Sequence, residues 1–147
     1  MSRLRAANRL RAATGGDEGS VLPLTLGYAA LALIAVLVCV DGTSLYLGQK
    51  RLDGLADSAA LAGADGFTLS LVDGEPAAVL TDAAVRAQAE ALIVEVGGDA
   101  VLVDAGTPDG VSSRVTVAQE WRPPVLTLFV PDGVALEATA TSRTALR

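Results

Sequence analysis

Few residues in this chain carry reactive chemistry, and their types set narrow limits on it. The 147 residues include no histidine, which removes imidazole acid–base catalysis and histidine-ligated metal sites. One cysteine, Cys39, cannot form an intramolecular disulfide or a cysteine-cluster zinc site. Ser112, Ser113 and Ser142 have no histidine partner, so a Ser–His–acid triad cannot be assembled. A Ser–Lys dyad would have to recruit Lys50, the only lysine. Asp99, Asp104 and Asp109 lack the alternate spacing and closing glutamate of an EF-hand calcium loop, and Asp109-Gly110 reads as a hairpin turn. No catalytic, cofactor-binding or metal-ligating set is expected, so the chain reads as a non-enzyme without a cofactor.

Function must then come from the elements themselves. Apolar residues make up 51% of the chain, aromatics 3% and charged residues 19%. A mean hydropathy of +0.46 with that charge content implies one very apolar segment joined to a polar remainder. The segment is Val21 to Val40, twenty residues without a charge. As a helix it spans about 30 Å, the hydrocarbon thickness of a bilayer. Its apolar residues lie on all sides of the helical wheel, so it is not an amphipathic surface helix. Pro23 falls in the first turn, where its missing N–H costs little. The run is too long for a typical signal-peptide core, and no small-residue cleavage site comes directly after it. Cys39 lies inside it and reads as a buried, inert thiol, with lipidation or an intermolecular disulfide as the alternatives.

Charge is divided unevenly about this segment. Arg3, Arg5, Arg9 and Arg11 precede it with Asp17 and Glu18, whereas acids dominate the residues beyond Val40. The positive-inside rule keeps the arginine arm in the cytoplasm and puts the C-terminal part outside, giving a single-pass membrane protein in contact with lipid. A net charge of -6 argues against nucleic acid as a partner.

From Asp41 to Gly63 the helix is expected to continue. Leu45, Leu52, Leu55, Ala59 and Ala62 recur at helical spacing, and a stripe of small residues lets another helix approach closely. Asp41 itself reads as a charge at the outer membrane interface or as a partner for a basic residue on a neighbouring helix. Gly19-Ser20 ahead of the apolar run, then Asp41, Tyr46, Leu47, Lys50, Arg51, Asp57 and Ala59-Ala60-Leu61-Ala62 after it, resembles the TadE/TadG-like family of tight-adherence (Flp) pilus-assembly proteins. The likeness covers about residues 15 to 66. Arg122-Pro123-Pro124 and the final Ala-Thr-Ala-Thr strand are similar in style to short actinobacterial members. The resemblance implies a pilin-like fold, other pilus or secretion-system subunits as partners together with self-association, and a candidate processing site at Gly19 and Ser20. It also implies helix packing through Asp41, Tyr46, Leu52, Leu55, Ala59 and Ala62. Pilins carry a glutamate at the fifth residue after the processed glycine. Here that residue is Leu24, which favours an assembly or minor component over a major pilin. Gly15-Gly16-Asp17-Glu18-Gly19 shares four letters with diguanylate cyclases, but a motif abutting a membrane span has no room for that catalytic domain.

The remainder predicts a small α+β domain. Gly66 to Pro76 reads as turn-rich around Asp73-Gly74. Thr81 to Val96 is a helix, capped by Thr81 or Asp82 and ended by Gly97-Gly98, with Ala84, Val85, Ala89, Leu92, Ile93 and Val96 inward. Ala100–Asp104, Ser113–Trp121 and Val134–Ser142 are strands. Val125 to Val130 fits a strand or a short helix, and Trp121 reads as core packing, with an interface or a membrane-surface anchor as the alternatives. The organisation expected is a basic arm (1–19), a transmembrane helix (20–40), a helical extension (41–64) and an extracytoplasmic domain (65–147) of one helix on a three- or four-stranded antiparallel sheet. The function expected is a membrane-anchored minor pilin or assembly component, with a membrane-anchored binding or scaffold module unrelated to pili as the alternative.

Overall fold

The computed structural model describes residues 21–143, save positions 73 and 128. Gly19, Ser20 and the arginine arm lie outside the described residues. The chain divides into two compact units, Met1–Cys39 and Val40–Arg147.

In the first unit the described residues are wholly helical. They belong to α1, Val21–Asp65, a helix of 45 residues whose later part lies in the second unit. Thr25 turns its hydroxyl back to the Val21 and Leu22 carbonyls, which shields a polar group in an otherwise apolar turn. The large side chains of this stretch, Leu31, Leu33 and Ile34 among them, are exposed, as is Cys39.

The second unit has two layers. A hairpin of β1 (Thr68–Val72) and β2 (Glu75–Val79) comes after α1. Then come α2 (Asp82–Val96), β3 (Val101–Gly106), β4 (Ser112–Trp121) and β5 (Val134–Arg143). Strands β3, β4 and β5 form one antiparallel sheet in that order, with a register shift in β3 between Leu102 and Asp104. The architecture is α+β, as the sequence implies. The hairpin is the departure, because it stands where the sequence marks only turns. Leu69 and Leu71 are 68% and 77% exposed, so its alternation gives no core-facing signal.

Local chemistry explains the element ends. Thr81 caps α2 by accepting the Ala84 N–H at its hydroxyl, and Gly97 N–H closes the other end on the Ile93 carbonyl. Val85, Ala89 and Ile93 of α2 are buried, whereas Val96, expected inward, is exposed in the last turn. On β5 the alternation places Leu136, Ala138 and Ala140 inward, paired with Gln119, Val117 and Val115 of β4. On the opposite face Thr116 and Thr139 share a hydrogen bond of 2.9 Å. The core joins Leu52, Ala56, Ala59 and Ala60 of α1 to Leu80, α2 and one face of the sheet. So many alanines there permit a close helix-to-sheet approach.

Candidate functional site

The part of α1 beyond Val40 lies along the central strand. Trp121 donates from Nε1 to Ser44 Oγ at 3.2 Å, Gln49 donates to the Glu137 carbonyl at 3.1 Å, and Gly63 abuts Ser113. Helix and strand thus run in opposite directions, since α1 passes from the Trp121 end of β4 to its Ser113 end. Two glycines set the spacing. A Cβ at position 48 would stand 3.3 Å from Trp121 Cδ1. One at position 63 would collide with Ser113 Oγ and come within 2.9 Å of Val85 Cγ1.

The residues expected to pack helices divide by position. Leu52 and Ala59 are fully buried in their own unit, with Leu55 packed beside them and Ala62 half-buried. The stripe expected to receive a neighbouring helix is therefore occupied at Leu52 and Ala59 by the chain's own sheet and α2. Leu52, Ala56, Ala59 and Ala60 share one core with Val115 and Val117 of β4, Leu136 and Ala138 of β5 and Val85 of α2. Tyr46 lies elsewhere on the helix, 62% exposed, with Lys50 Nζ 6.0 Å from its ring centre.

Asp41 has a use the sequence did not reveal. It is only 5% exposed, and its two carboxylate oxygens accept the Val125 and Leu126 N–H groups, each at 3.1 Å. The acid thus serves backbone of its own unit, a pairing that its place in the sequence does not suggest. The segment it holds is neither strand nor helix but a turn. Thr127 Oγ1 donates to the Pro123 carbonyl, and Phe129 and Val130 N–H both reach the Leu126 carbonyl. Proline at 123 and 124 leaves Val125 and Leu126 as the next donors, and the acid satisfies both.

The reactive side chains are engaged structurally. Lys50 Nζ meets Asp53 at 3.1 Å, and that partner raises the lysine pKa, the opposite of what a general base needs. Ser113 is completely buried, and its Oγ has no hydrogen-bond partner among the described residues. Asp104 lies 3.8 Å from Arg86. The two line an open cleft of about 430 Å³ with Asp82 and Arg114, where opposite charges offset one another. Among the described residues no group of three potential ligands stands close enough to hold a metal ion.

Asp109 organises the β3–β4 loop. It accepts Val111 and Ser112 N–H at 3.1 and 2.6 Å and the Ser112 hydroxyl at 2.9 Å, with Arg143 at 3.5 Å. The backbone donors lead in holding its pKa below the ordinary carboxylate value. A depressed folded-state pKa contributes stability that is present above the unfolded value, about 3.9, and is lost as pH falls through the folded value. Asp109→Asn should accordingly lower the urea midpoint most near neutrality and flatten its acid limb below about pH 4, where the two proteins converge. An unaltered acid limb would refute this assignment.

The described residues include one helix long and apolar enough to cross a membrane, and its later part belongs to a small α+β unit. Residues 19–66 match the model of a family described as putative Flp pilus-assembly TadE/G-like. That segment is roughly a third of the chain and comprises the whole of α1. The match supports a pilus-related role. No curated protein and no solved structure matches the chain.

Proposed function

We propose that the chain is a membrane-anchored minor pilin or assembly component of a tight-adherence pilus or a related secretion system. It acts by helix packing and docking, not by turnover. The observation that carries the reading is the coincidence of the family match with α1, both over the apolar run and over its extension into the folded unit. In this reading the arm 1–19 is cytoplasmic, residues 20–40 span the membrane, 41–64 extend the helix and 65–147 form the extracytoplasmic domain. Gly19 and Ser20 are the candidate processing site, and exposed Tyr46 is the side chain on α1 best placed to meet another subunit.

Three measurements test this. A lysine at Ile34, near the middle of the apolar run, costs about 2.5–3.5 kcal/mol in membrane insertion. Ile34→Lys should therefore shift the chain out of the alkali-resistant membrane fraction, and an unchanged distribution argues against a spanning helix. Intact masses from the native host, taken on membrane and sheared-surface fractions, then separate the roles. A species beginning at Ser20 in the sheared fraction is a processed minor pilin. A full-length species confined to the membrane is an assembly component. Piliation unaffected by deletion of the gene overturns both and leaves the scaffold module unrelated to pili.

A further inference from the structure

We infer that the turn from Pro123 to Pro131 is a second membrane contact, inserting Phe129 and Val125 into the interfacial layer of the bilayer. The inference rests on the membrane-anchored reading above. Three observations place the turn at that depth. First, Asp41 is the first charged residue after the twenty uncharged ones from Val21 to Val40, so by chain continuity along α1 it marks where the hydrocarbon ends. Second, the Asp41 carboxylate holds Val125 and Leu126 directly by their N–H groups, which fixes the turn at the level of that residue. Third, the nine residues from Pro123 to Pro131 carry no charge, and they leave Phe129 80% and Val125 40% exposed.

An exposed phenylalanine on a charge-free loop is costly in water, and at the headgroup boundary that apolar area is removed from water. Arg122, paired with Glu120 at 2.9 Å, and Asp132 bound the uncharged stretch on either side. Along α1, Tyr46, Lys50 and Arg51 lie about 7 to 15 Å beyond Asp41, the level at which aromatic rings and basic side chains meet lipid headgroups. The occupant of this surface is accordingly lipid. A bilayer contact here would fix the tilt and rotation of the folded unit at the membrane, which a single helix leaves free.

The test uses the full chain in vesicles of phosphatidylcholine and phosphatidylglycerol, with Cys39→Ser to remove the native thiol. Single cysteines at Phe129, Leu31 and Thr141 each carry an environment-sensitive fluorophore. Thr141 is exposed and pairs with Arg114, far along the sheet from the Trp121–Val134 end. The expected result is a blue-shifted emission at 129 that is lost when nitroxide-bearing lipids are included. At 31 the probe should behave as embedded, and at 141 it should stay water-exposed and unquenched. A water-like signal at 129 with an embedded signal at 31 overturns the second contact alone. A water-like signal at 31 overturns the membrane reading on which it rests. A blue shift at 129 that lipid nitroxides do not quench means protein covers the turn, a second copy included, and also overturns the lipid assignment.

Discussion

Gly63→Leu should abolish the folded state of the second unit, and Gly63→Ala should cost it up to about 2 kcal/mol on balance. The alanine variant gains about 1 kcal/mol of helix propensity, because glycine is the poorer residue in a helix interior. Against that stands overpacking, which in a filled core costs about 1–3 kcal/mol. The added Cβ would strike Ser113 Oγ and sit 2.9 Å from Val85 Cγ1. Neither neighbour can easily give way: Ser113 is on the central strand and Val85 is completely buried on α2. Ser113→Ala supplies the internal control. Its hydroxyl is buried without a partner among the described residues, so removing it should raise stability by about 1 kcal/mol. In that background Gly63→Ala should cost less, and a double-mutant cycle by urea unfolding reads the difference. Strict additivity of the two changes would sink the claim that they share one contact.

That contact also shows what the sequence could and could not say. Residues 41–63 are legible as an extension of the apolar helix because their leucines and alanines recur at helical spacing. What the stripe packs against is not legible, because a row of small side chains suits a neighbouring helix and the chain's own sheet equally well. In α2, β4 and β5 period and capping residues agree, and the structure follows them except at Val96, exposed in the last turn of α2. Gly74, Gly98, Gly110 and Gly133 take positive φ in turns the sequence marks with glycine beside aspartate or glycine. The β1–β2 hairpin escapes a sequence reading because its leucines face outward and Pro76 lies in its second strand. Val125–Val130 misleads for the opposite reason. Its apolar run suggests a core element, but prolines at 124 and 131 confine it to a turn.

Asp41→Ala should destabilise the second unit by about 2–4 kcal/mol, and Asp41→Asn by roughly half as much. The acid is separated by more than eighty residues from the two N–H groups it serves, so nothing local in the sequence could reveal the pairing. A hydrogen bond to a charged group contributes about 1.5–3 kcal/mol, and the two bonds here share one carboxylate, so they are not additive. Alanine leaves both donors to find water, whereas asparagine keeps one acceptor and turns an amide toward the other N–H. Trp121 is the only tryptophan and donates to Ser44, three residues beyond Asp41, so its fluorescence reports on this end of the unit. The measurement is urea unfolding of the detergent-solubilised chain at a concentration where it does not associate. It discriminates between two uses of the same residue. If Asp41 held a basic side chain of a neighbouring helix, the isolated chain would keep its unfolding midpoint and only assembly would suffer. If Asp41 holds the turn, the midpoint falls in the isolated chain, and any loss of assembly stems from the released turn. An unchanged midpoint for Asp41→Ala would therefore return the residue to an intermolecular role.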